Sequence, residues 1–160
     1  MAFSNEDLIT LHRATHTCLD LLLNHASALR PELWTRPVEG FGHPSLRAQF
    51  AHVLATEEWW MRALQHMPAR RWDPESFNST DALAAAKASV ASETASYVNR
   101  LSIDQLNREI DTCLPEWVGP KRSPACIILH IVTHAFHHKG QIAAMLRLLG
   151  HPAPDTDLQR

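Results

Sequence analysis

The stretch HIVTHAFHHKGQ, at residues 130–141, places four imidazoles at helical spacing inside an otherwise apolar segment. At about 100° per residue, His134 and His138 project from the same face of a helix, one turn apart. That face also carries Ile131 and Ile142, so both rings are predicted to lie in the buried stripe. Neighbouring imidazoles in an apolar core need polar partners. A bound divalent cation satisfies both rings, and the stretch therefore indicates a metal site.

Outward from this stretch, apolar residues recur at helical spacing along most of the chain. The sequence predicts long helices at residues 5–29, 44–67, 80–101 and 124–149. Ser123 and Pro124 supply a cap and a first-turn proline for the last helix, and Gly150 ends it. The Pro- and Gly-containing segment 109–121 predicts a loop or a short hairpin. Together these elements predict an all-α protein, a four-helix bundle with long connections between its helices.

The bulk composition of the chain excludes several classes of protein. Its 160 residues, 45% hydrophobic and 20% charged, are typical of a single soluble domain spanning residues 1–160. A net charge of −2 without a basic cluster argues against a nucleic-acid partner. No apolar run approaches the roughly 18 residues of a membrane span. Three cysteines without a CxxC pair, together with an N-terminus unlike a secretion signal, predict a cytoplasmic protein.

The pair of imidazoles on the last helix needs a third ligand from another helix. Catalytic zinc-type sites use three protein ligands and keep one position open. His52 is the best candidate, because it lies at the border of the apolar face of the second helix. His12 and His16 are weaker alternatives, since they lie away from the centre of their helix's apolar face. The other histidines considered as ligands are predicted near helix ends or in loops: His25, His43, His66 and His151.

Three segments resemble a known family. The sequence HVLATEEW at residues 52–59 looks like the second-helix motif of the DinB/YfiT-like metal-binding proteins. The sequence HAFHHKGQI at residues 134–142 looks like their fourth-helix signature, with Lys139 where arginine is frequent. The ending LGHPAPDTDL at residues 149–158 is also similar to their C-terminal pattern. The resemblance covers nearly the whole chain.

This resemblance implies a four-helix bundle of unusual connectivity and a three-histidine metal site, here His52, His134 and His138. Similar proteins include metal-dependent transferases that use thiols such as bacillithiol and mycothiol, and a thiol-dependent maleylpyruvate isomerase. We therefore expect an enzyme that activates a low-molecular-weight thiol for transfer to a small-molecule electrophile. A metal-dependent hydrolase and a non-catalytic metal-binding stress-response protein are the alternatives. Imidazole ligands suit zinc, nickel and iron alike, and no catalytic base can be named from the sequence.

The sequence also predicts roles for several residues outside the three-histidine set. His130 and His137 flank the metal-binding face, as proton shuttles or as plain surface residues. Glu57 is expected to pair with a buried arginine, and Gly140 to allow close approach of another helix. A second apolar stripe on the last helix predicts a homodimer. Its residues are Leu129, Val132, Phe136 and Ala143.

Overall fold

The computed structural model describes residues 2–111 and 121–158, and these residues form an all-helical structure. The helices, in chain order, are α1 (Asn5–Ser27), α2 (Glu32–Thr35), α3 (Leu46–Leu64), α4 (Thr80–Arg100), α5 (Ile103–Asn107) and α6 (Pro124–Leu148). A single 3₁₀ turn at Pro74–Ser76 lies between α3 and α4. The prediction of an all-α protein is confirmed, and the four long helices begin within two residues of their predicted starts.

Serine caps determine where the four long helices begin. Each cap side chain accepts a hydrogen bond from the backbone N–H three residues further on. The caps are Ser4, Ser45, Ser79 and Ser123. An N-cap of this kind contributes about 1 kcal/mol. After α6, Gly150 adopts a φ of +86°, which a residue without a side chain accommodates at little steric cost.

The four long helices pack as a closed ring. Helix α3 lies against α4 and α6, and α1 lies against the same two helices. Helices α1 and α3 are therefore diagonally opposite and face each other across the interior. Leu22, Phe50 and Met145 are part of one buried apolar cluster, while Leu8 and Ile128 belong to a second. This arrangement places one face of α3 opposite α6 and another face opposite α1.

The predicted loop or hairpin at 109–121 lies for the most part outside the described residues. On either side of the gap, Ile110 and Arg122 pair in an isolated antiparallel bridge. Among the described residues, no helix is long and apolar enough to cross a membrane.

The structure bears on two expectations for helix α6, the close helix approach at Gly140 and the second apolar stripe. A Cβ added to Gly140 would touch nothing within 4 Å, so the predicted close helix approach is wrong. In the second apolar stripe, Val132 is buried within the chain itself, whereas Leu129, Phe136 and Ala143 are half-buried. The homodimer stays a prediction.

Candidate metal centre

The structure brings together the three histidines singled out from the sequence. Helix α3 presents His52 toward α6, on which His134 and His138 lie one turn apart. The ring centroid of His52 is 5.1 Å from that of His134 and 4.6 Å from that of His138. One ligating nitrogen of each ring lies within 4.8 Å of the other two. The three donors converge closely enough to hold a single ion.

Burial keeps these imidazoles uncharged at neutral pH. Loss of hydration, followed by repulsion from neighbouring imidazoles, lowers the pKa of His134 to about 3. The same causes, in the same order, lower the pKa of His52 to about 4. Burial also lowers the pKa of His138. Because a neutral imidazole is the form that binds metal, the donor set suits zinc, nickel or iron.

A buried glutamine fixes the orientation of His138. Gln49, one turn before His52 on α3, is fully buried. Its amide nitrogen donates to the backbone carbonyl of His43 at 3.1 Å and to Oε1 of Gln141 at 2.8 Å. Its Oε1 must therefore accept the 2.7 Å hydrogen bond from Nδ1 of His138. With the proton held on Nδ1, the Nε2 lone pair of His138 is free to bind a metal.

His43 belongs to this site, although the sequence placed it among the weaker candidates. Its ring stacks on that of His52, with centroids 3.8 Å apart and planes 21° from parallel. The ring centroid of His138 is 6.0 Å away. Burial lowers the pKa of His43 as well, so a fourth neutral imidazole borders the cluster. His43 precedes α3 in a connecting segment, where helical periodicity carries no information about direction.

Two exposed histidines of α6 flank the cluster. The ring of His130 lies 5.9 Å from that of His134 and packs edge-on against Trp60. His137 accepts a 2.8 Å hydrogen bond at Nε2 from Gln141, the residue that is also bonded to Gln49. The hydrogen-bond network of the site therefore extends from the buried amide of Gln49 to the surface.

Comparison with known families assigns the chain that carries this site to one of them. The sequence pattern of the DinB family matches residues 8–160, a range that includes all three converging histidines. The chain belongs to the DinB family. No curated protein matches the sequence. The resemblance drawn from the motifs of α3 and α6 is thus confirmed at the level of the family.

A second polar cluster lies across the interior of this DinB-family protein. His12 and His16, the alternatives for the third ligand, do not join His52 but face Glu57 instead. Their Nε2 atoms lie 2.7 and 2.9 Å from the two oxygens of Glu57. The hydroxyl of Thr94, on α4, donates to the same carboxylate at 2.7 Å. The expected pairing of Glu57 with an arginine is therefore wrong.

Hydrogen bonding controls the charge of Glu57. Burial alone would raise its pKa, but the hydrogen bonds from His12 and His16 outweigh burial and hold the pKa below its ordinary value. The carboxylate is consequently ionised in the protein interior. The i, i+4 spacing of the two histidines was visible in the sequence, but their partner was not, because α1 and α3 meet only across the diagonal.

Proposed function

We propose that this DinB-family protein is a divalent-metal enzyme that activates a low-molecular-weight thiol for transfer to a small electrophile. One observation carries the proposal: three uncharged imidazoles from α3 and α6 converge on one point. In this proposal the four long helices form the family's four-helix bundle, with long connections, around the ion. Zinc, nickel and iron all accept three imidazole ligands.

The charge of the donor set favours activation of a thiol. Because all three ligands are neutral, a divalent ion held by them would keep its full positive charge. It would lower the pKa of a thiol bound beside it and favour the nucleophilic thiolate at pH 7. Three protein ligands leave a position for that thiol. His52 and His134 are only half-buried, which leaves the cluster accessible to a small molecule.

The surrounding residues have separable roles in this proposal. Gln49 holds His138 in the tautomer that presents Nε2. His43, neutral and stacked on His52, is the nearest imidazole outside the ligand set and serves as acceptor for the thiol proton. The sulfur then forms a bond to the electrophilic carbon, and the leaving group departs with its bonding electrons.

A conjugation assay tests the proposal. Protein stripped with a chelator is reloaded with zinc, nickel or ferrous iron, and mixed with cysteine, glutathione, bacillithiol or mycothiol and a fluorogenic bimane electrophile. We expect conjugation that requires both metal and thiol, and a loss of at least about 100-fold in kcat/KM for His134→Ala. The matched control is Cys126→Ser, which removes an exposed thiol of the protein itself and should leave turnover unchanged.

Three results would reject the transferase. Conjugation that continues at the same rate after metal removal contradicts the role of the ion. Metal-dependent consumption of the electrophile without any thiol identifies water as the nucleophile and the protein as a hydrolase. Stoichiometric metal binding without turnover of any thiol identifies a non-catalytic metal-binding protein.

A further inference from the structure

We propose that His12, His16 and Glu57 form a second divalent-metal site, separate from the three-histidine centre. One ligand atom of each residue lies within 4.8 Å of the other two. Two imidazoles and one carboxylate form a donor set that binds ferrous iron, manganese or zinc. The site lies between α1 and α3, on the opposite side of α3 from His52.

The paired imidazoles of the two clusters have nearly the same geometry. The rings of His12 and His16 are 4.4 Å apart with planes at 55°, and those of His134 and His138 are 4.4 Å apart with planes at 57°. In both cases the pair is spaced one helical turn apart and faces a third donor from α3. Glu57 is the donor of α3 that faces the histidine pair of α1, just as His52 is the donor of α3 that faces the histidine pair of α6.

The charge of the second cluster favours a cation. Glu57, His12 and His16 are only 2%, 4% and 5% exposed. A buried carboxylate is stabilised by hydrogen-bond donors or by a positive partner. Within residues 2–111 and 121–158, the ion pairs of Glu57 are with these two imidazoles and with no lysine or arginine. A divalent ion held by the three residues would supply a positive partner that no lysine or arginine of the described residues provides.

The hydrogen bonds of the cluster are compatible with replacement of an imidazole proton by a metal. The Nε2 atoms hydrogen-bond to the carboxylate, and both must lose their protons when a metal binds. Nδ1 of His16 is buried and has no hydrogen-bond partner. The ring proton of His16 can therefore move from Nε2 to Nδ1 without displacing a partner that Nδ1 already has. Thr94 orients the carboxylate of Glu57 from α4, as a partner behind a metal ligand does.

A cavity borders the two imidazoles of the proposed site. It has a volume of about 220 Å³ and is lined by both imidazoles, by Ile9 and by Arg13. The small residues Ala91, Ser92 and Ala95 of α4 also line it. An ion held by His12 and His16 would have this cavity beside it for its remaining water ligands.

Metal stoichiometry tests the proposal. The full-length protein is stripped with a chelator, loaded with Co²⁺ and passed over a desalting column, after which cobalt is counted by elemental analysis. We expect two equivalents for wild type, and one each for His16→Gln and His134→Ala. The double variant should bind none. His25→Ala, a change to another histidine of α1, is the matched control and should retain two.

The variants separate this proposal from the proposed function. One equivalent in wild type that survives His16→Gln and disappears in His134→Ala overturns the second site and leaves the first intact. One equivalent in wild type that survives His134→Ala and disappears in His16→Gln supports the second site and contradicts the first. His16→Gln keeps an amide donor facing Glu57, and circular dichroism verifies folding. Glu57→Gln, which keeps the side-chain shape, must also lose one equivalent; retention of two overturns the proposal.

Discussion

Replacing Gln49 by leucine removes the hydrogen-bond acceptor that faces Nδ1 of His138. In the variant the imidazole proton no longer has a preferred position, and the tautomer protonated on Nε2 cannot bind a metal through that atom. Removal of a partner behind a metal-ligating histidine weakens binding about 10- to 100-fold, or about 1.4 to 2.7 kcal/mol. We expect a loss of that size, measured by competition with a chromogenic chelator.

The tautomer itself provides an independent measurement. In the metal-free wild type, ¹⁵N spectra of the histidine rings should show His138 protonated at Nδ1, because Gln49 presents only an acceptor to it. In Gln49→Leu the two tautomers should be mixed.

The control for this experiment is Gln65→Leu. Gln65 lies at the C-terminal end of α3, and its side-chain amide donates to the carbonyl of Met61, away from the histidine cluster. It should leave metal affinity unchanged. A Gln49→Leu protein that folds, as judged by circular dichroism, and that binds metal as tightly as wild type would refute the positioning role of Gln49.

Three other predictions concern stability and assembly. Gly140→Ala should stabilise the protein by about 1 kcal/mol in chemical denaturation, because a Cβ added at this position of α6 meets nothing within 4 Å; a lower stability would contradict this. Glu57→Gln should destabilise the metal-free protein by about 1–3 kcal/mol at pH 7. The pKa of Glu57 in the folded protein lies below the ordinary value of 4.5, so the stability difference between wild type and Glu57→Gln should shrink as the pH falls below 4.5. A stability difference independent of pH would be inconsistent with an ionised carboxylate. Static light scattering should report twice the chain mass of 18.0 kDa, whereas a particle of one chain mass would exclude the homodimer.

The sequence predicted the features that depend on local spacing. The 3.6-residue period placed His134 and His138 on one face of α6, and the serine at position 123 marked the start of that helix. Predicting that His52 lies opposite this pair required further information, because the spacing within one helix does not specify which helix packs beside it. The motif shared with the DinB family supplied that information, and the pairing of α3 with α6 agrees with it.

Features that depend on contacts between distant segments could not be predicted in this way. His43 reaches the site from a connecting segment, where no period fixes the direction of a side chain. For Glu57 the sequence offered only the general rule that a buried carboxylate needs a cationic or donor partner. The partners of Glu57 come from the helix that lies diagonally opposite α3 in the ring. That helix is α1, and the partners are His12 and His16 rather than an arginine.

The two clusters share α3, and this sharing has a physical consequence. His52 and Glu57 are five residues apart, which turns them about 140° from each other around the helix axis. One helix thus presents a neutral donor toward α6 and an anionic donor toward α1. The side facing α6 leaves the charge of an ion uncompensated, as activation of a thiol requires. The side facing α1 would neutralise part of the charge of a second ion held there, which suits an ion that binds tightly and joins α1 to α3.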